Sequence, residues 1–82
     1  MTAEEIHALI EAGVPGARAE VRGEDGVHFE AIVACEAFRG LHLVKQHQMV
    51  YGALGPHMGT TIHALALTTC LPEQWPSSTM AR

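Results

Sequence analysis

Residues 37 to 72 contain no aspartate or glutamate, although the chain carries nine acids. Eight of the nine (Glu4, Glu5, Glu11, Glu20, Glu24, Asp25, Glu30 and Glu36) fall in the first 36 residues. The acid-free stretch holds Arg39, Lys45 and four histidines, His42, His47, His57 and His63. A net charge of −4 disfavours nucleic acid as the main partner. A locally electropositive, histidine-rich half can nevertheless meet an acidic partner, an anionic cofactor or a phosphate backbone.

Other absences exclude whole classes. No apolar run approaches the roughly 18 residues of a membrane span, and "MTAEEIHALIEAG" carries acids where a signal peptide carries Lys or Arg. A cytoplasmic protein without membrane association is expected. Cys35 and Cys70 have no CxxC spacing, which indicates neither a disulfide framework nor a zinc ribbon. No nucleophile with a nearby base, phosphate loop, HExxH or paired-carboxylate spacing is present, so the chain is not expected to be an enzyme. Eighty-two residues, 48% hydrophobic and 17% charged, fit a single domain over 1–82 with one modest core.

The patterning predicts an order of elements. "TAEEIHALIEAG" has Thr2 as N-cap, Glu4 and Glu5 in the first turn and Gly13 as its stop. "GVPG" is a turn, and "ARAEVRGEDGVHFEAIVA" reads as a β-hairpin turning at Glu24-Asp25-Gly26. In its second strand Phe29, Ala31 and Val33 alternate with His28, Glu30 and Ile32. "CEAFRG" is a helical turn closed by Gly40. The main helix, "LHLVKQHQMVYGALG", places Leu43, His47, Val50 and Leu54 on one stripe, flanked by Leu41, Val44, Gln48 and Tyr51. His47 on that stripe is expected to bond a carbonyl or carboxylate. "GTTIHALALTT", residues 59 to 69, reads as a strand with a half-buried His63, and "CLPEQWP" as a brief final helix cut short by Pro76.

The result is an α/β (α+β) chain ordered α-β-β-α-α-β-α. The hairpin supplies an antiparallel pair, and the helical crossover sends the third strand parallel to a neighbour. A three-stranded mixed sheet with helices on one face follows. If the third strand lies beside the second, His28 and His63 come to the same end of the sheet.

"GVHFEAIVACEAFRGLHLVKQHQMVYGALG", then "IHALAL", then "PEQW", resembles the BolA family over nearly the whole chain. The shared elements are the HF exit from the hairpin, F-x-G before the helix, VKxHQ-x-VY within it, IHAL on the last strand and P-E-x-W after it. The resemblance implies a KH-like fold of class II. It also implies a monothiol glutaredoxin partner, with a bridging [2Fe-2S] cluster held on the other side by the glutaredoxin cysteine and a glutathione thiolate. The family's strand histidine maps onto His63, and its second ligand onto His28. In some relatives the second ligand is a cysteine a few residues earlier, where this chain has Asp25, which leaves Asp25 as the alternative to His28. Two imidazoles on one iron are chemically reasonable, as in Rieske-type centres.

The implied function is an adaptor in iron-sulfur cluster trafficking or iron homeostasis, monomeric when free. The alternative is a DNA-binding transcription regulator of the BolA type, in which Arg39, His42, Lys45 and His47 would meet phosphates or a partner. A KH-type RNA clamp is poorly supported, because "FRGLH" offers Gly40 alone where a GxxG loop is needed. Leu71 stands where the family usually has an N-capping threonine, and with Pro76 this bears on the length of the C-terminal helix.

Overall fold

The computed structural model describes residues 1–23, 25–26, 28–59, 62 and 64–75. Helix α1 (Ala3–Gly13) opens on a capping box, in which Thr2 Oγ1 accepts from Glu5 N–H and the Glu5 carboxylate accepts from Thr2 N–H. Those bonds hold the Glu5 carboxyl below its usual range. Strands β1 (Arg18–Arg22) and β2 (His28–Ala34) pair antiparallel, and β3 (Ala64–Cys70) lies parallel to β2 on its other side. The sheet order β1-β2-β3 is that of the expected mixed sheet. Helix α2 (Leu43–Leu54) makes the crossover, preceded by a 3-10 turn at Glu36–Phe38 and followed by another at Gly55–His57.

One face of the sheet is covered by α1 and α2. Phe29, Ala31 and Val33 point into that layer, where they meet Ile6 and Ile10 of α1, Val50 and Leu54 of α2, Phe38 and Ile62. The alternation in β2 therefore has the sense that the sequence predicts, with His28 and Glu30 exposed. The helices approach closely at Gly13, where a Cβ would lie 2.5 Å from Ala53 Cβ. Gly13 thus serves the α1–α2 contact as well as ending α1. Gln46 ties α2 to the sheet. Its Oε1 accepts from Thr69 Oγ1 at 2.6 Å, and its Nε2 donates to Leu41 O at 2.9 Å.

Three local expectations need correction. Gly59, read as the start of the last strand, sits in a turn with φ +86, and the described strand begins at Ala64. Leu43, placed on the apolar stripe, is 60% exposed. It has the stripe's angle, but it stands at the start of α2, where its side chain is left to solvent. His47, expected to bond a carbonyl or carboxylate, has a buried Nε2 with no hydrogen-bond partner. One helical turn away on either side stand Leu43 and Tyr51. Tyr51 presents its ring at 6.2 Å and 86°, an edge contact that supplies no acceptor in the plane of the imidazole. After β3 the chain makes a 3-10 turn at Pro72–Gln74, and Leu71 N–H is capped by Gln74 Oε1 at 2.8 Å.

Candidate metal centre

The hairpin end of the sheet holds the candidate ligand His28, with Asp25 beside it. His28 is the first residue of β2 and stands in register with Ala64, the first residue of β3. His63 precedes Ala64 in the sequence and lies outside the described residues. Around His28 is an open concavity of about 830 Å³, lined among others by Arg22, Asp25, Phe29, Glu30 and Ala64. Its floor depends on Gly23, where any Cβ would fall within 2.2 Å of the Phe29 ring.

Asp25 and His28 form a clamp. Asp25 Oδ1 accepts from the His28 backbone N–H, and Oδ2 lies against His28 Nδ1, both at 2.8 Å. An ionised carboxylate has no proton to give, so in this pair a neutral imidazole carries its hydrogen on Nδ1. The lone pair is then on Nε2. Metal-binding histidines use the same device, a carboxylate on one ring nitrogen fixing the tautomer and aim of the other. The His28 side chain is 72% exposed and that of Asp25 56%, so Nε2 is presented at the surface. Among the described residues no three His, Cys, Asp or Glu side chains are grouped to hold an ion.

The residues expected to form a positive patch are distributed differently. His42 is the N-cap of α2 and makes no side-chain cap bond. Lys45 is exposed, and His47 is half-buried on the same helix. Arg39 is held by two carboxylates. Its Nε meets Glu36 Oε2, and its Nη2 lies 3.1 Å from Glu36 Oε1 and 2.9 Å from both oxygens of Glu73. Arg39 thereby pulls the Glu36 carboxyl below its usual range, and backbone bonding together with Arg39 does the same for Glu73. The guanidinium is pushed further into its charged form by the same bonds. The acid-free run is bounded by Glu36 and Glu73, and the fold closes both onto its one arginine. What remains of the patch is Lys45 with its neighbouring imidazoles.

Sequence reasoning treated Asp25 as a possible replacement for His28 as ligand. The structure makes it His28's hydrogen-bond partner, with each oxygen on a different donor of the same residue. The three-residue spacing D-G-x-H was the available signal, since Asp commonly accepts from backbone a few residues on. Cys70 lies on the open face in register with Ala34, while Cys35 Sγ turns inward to Pro15 O at 3.4 Å. Burial pushes the Cys70 thiol up, which leaves it a poor ligand or nucleophile.

The family model of BolA-like proteins matches residues 11–74. A solved BolA homologue from Coxiella burnetii is similar over 92% of this chain and 96% of its own, with 42% identity and a TM-score of 0.82. The chain is 35% identical to the DNA-binding transcriptional regulator BolA of Escherichia coli (strain K12) over 58% of its length. It is also 38% identical to the acid stress protein IbaG of that organism over 62% of its length. The match spans 46% of the former relative and 62% of the latter.

Proposed function

Because the chain belongs to the BolA family, we propose that it is a non-enzymatic adaptor that binds a monothiol glutaredoxin and shares a [2Fe-2S] cluster with it, in iron-sulfur trafficking or iron homeostasis. The observation that carries this reading is the Asp25–His28 clamp at the end of the sheet where β2 and β3 begin. His28 supplies Nε2, and His63 supplies the second imidazole of this chain. Asp25 keeps the proton on Nδ1 and so keeps Nε2 available. The cluster, when bound, supplies a centre of raised potential, since neutral imidazoles replace thiolates on one iron. The remaining ligands are the glutaredoxin cysteine and a glutathione thiolate.

Anaerobic co-purification with a monothiol glutaredoxin and glutathione, read by visible absorption, tests the proposal. A coloured complex is expected that loses its spectrum in His63→Ala and is weakened in His28→Ala. A colourless mixture, or iron-containing colour in the protein purified alone, counts against the shared site. The DNA-regulator reading draws on the name of the Escherichia coli relative. It requires Lys45 and the α2 histidines to carry phosphate contacts, with Arg39 already paired to Glu36 and Glu73. DNA retention that falls steeply with salt would favour it.

A further inference from the structure

The two edges of the sheet are defended unequally. β1 carries Arg18, Glu20 and Arg22 at every second position, which discourages pairing with another strand. β3 reads ALALTTC, seven residues with no charge, no proline and no glycine. The sheet order leaves one side of β3 unpaired, and among the described residues no backbone hydrogen bond reaches it from another element.

The ladder tells which groups are left open. Cys35 N–H donates to Cys70 O, which fixes Cys70 as a residue whose backbone faces β2. Along a strand this alternates, so Ala64, Ala66, Thr68 and Cys70 bond inward, whereas Leu65, Leu67 and Thr69 turn both N–H and C=O to the free edge. These three residues are symmetric about Leu67. An antiparallel partner strand related by a two-fold axis at Leu67 would pair Leu67 with Leu67, and Leu65 with Thr69, so that every outward donor meets an outward acceptor.

The surroundings favour the same occupant. Ala53 faces α1 at Gly13, and the 100° spacing of a helix puts Val44 and Tyr51 on the opposite side of α2, with His47 beside them. Since α1 packs on β1 and α2 reaches β3 through Gln46, that is the flank bearing the free edge. Val44 is 67% exposed, Tyr51 is exposed, and Leu65 and Leu67 are half-buried. No acid occurs between residues 37 and 72, so two copies approaching here keep their acidic halves apart.

We propose that the free edge of β3 pairs with β3 of a second copy of this chain, joining two sheets through Leu65, Leu67 and Thr69 and covering the apolar flank of α2. The contact is shorter than a standard interface, and dissociation in the range of about 0.1 to 1 mM is expected. This revises the expectation of a free monomer and is independent of the shared-cluster reading.

Amide hydrogen exchange by NMR, in reductant and without glutaredoxin, tests it. At about 20 µM the amides of Leu65, Leu67 and Thr69 should exchange fast, while those of Ala66, Thr68 and Cys70 are protected. At about 1 mM the first three should slow several-fold. Thr68→Lys, which places an exposed cation beside Ala66 of the second copy, should abolish the concentration dependence with an unchanged melting temperature. The proposal is overturned if the three amides are already protected at the lower concentration, since the chain then covers its own edge. It is equally overturned if they stay fast at the higher concentration, if protection appears only on adding glutaredoxin, or if folded Thr68→Lys behaves as wild type. Ala66→Lys provides the same reading should Thr68→Lys fail to fold.

Discussion

Replacing Asp25 by asparagine exchanges one carboxylate oxygen for an NH2 group and changes little else in size or shape. Asp25 presents two acceptors to two donors of His28, the backbone N–H and Nδ1. The asparagine side chain in Asp25→Asn would have one acceptor oxygen and one NH2 group for the same two positions. If the oxygen stays on the backbone N–H, the amide donates to Nδ1 and moves the ring hydrogen to Nε2. If the amide flips, the backbone N–H meets a donor and the turn loosens. In the first arrangement Nε2 carries the hydrogen and loses its lone pair; in the second the lone pair stays on Nε2 but the loosened turn no longer aims it. Both side chains are more than half exposed, so the stability change should stay below about 1 kcal/mol, a shift of a few degrees in a chain of this size. Loss of a carboxylate behind a metal-binding histidine typically costs about 10- to 100-fold in affinity, or about 1.4 to 2.8 kcal/mol. The cluster should therefore be affected several times more than the fold. The first assay is long-range nitrogen-proton NMR of the free protein, in which the wild-type neutral His28 ring carries its proton on Nδ1; the variant carries it on Nε2 in the first arrangement and keeps it on Nδ1 in the flipped one. The second is visible circular dichroism of the glutaredoxin complex. An Nε2–H tautomer in the wild type would refute the reasoning about Asp25. An altered tautomer with an undiminished cluster signal would instead remove His28 from the ligand set.

Gly13→Ala should lower the melting temperature, because its Cβ would fall 2.5 Å from Ala53 Cβ; a cost of about 1 to 3 kcal/mol is expected, and Ala53→Gly in the same chain should recover part of it. His47→Phe removes a buried nitrogen that has no partner, so urea unfolding should show equal or greater stability; a loss above about 1 kcal/mol would mean that the imidazole is bonded after all. The Glu36 carboxyl is lowered by Arg39 and the Glu73 carboxyl by backbone bonding and then Arg39, so their contribution is complete above the ordinary carboxylate value of 4.5 and is lost as pH falls through their lowered folded values. Arg39→Ala should flatten that acid limb of a stability-against-pH curve, and an unchanged limb would show that the cluster contributes nothing in solution.

The order of elements and the sense of burial in β2 are legible in local residue patterns. Thr2, Glu5 and Gly13 mark α1 by local bonds, and the period-two run at Phe29, Ala31 and Val33 names its inner face wherever the strand ends up. These are short-range effects, carried by residues a few positions apart. A helical crossover also restricts the third strand enough to foresee the parallel β2–β3 pair. Tertiary structure decided what faced each side chain. Arg39 looked available because the run it stands in holds no acid, whereas Glu73, 34 residues away, reaches it across the fold. Leu43 and Val44 carry the residue types of a packed helix, but periodicity reports direction and not whether a neighbour stands there. His47 lost its expected partner for the same reason. The open backbone of Leu65, Leu67 and Thr69 has no trace in the residue types at all, since which strand lies at an edge is a property of the assembled sheet.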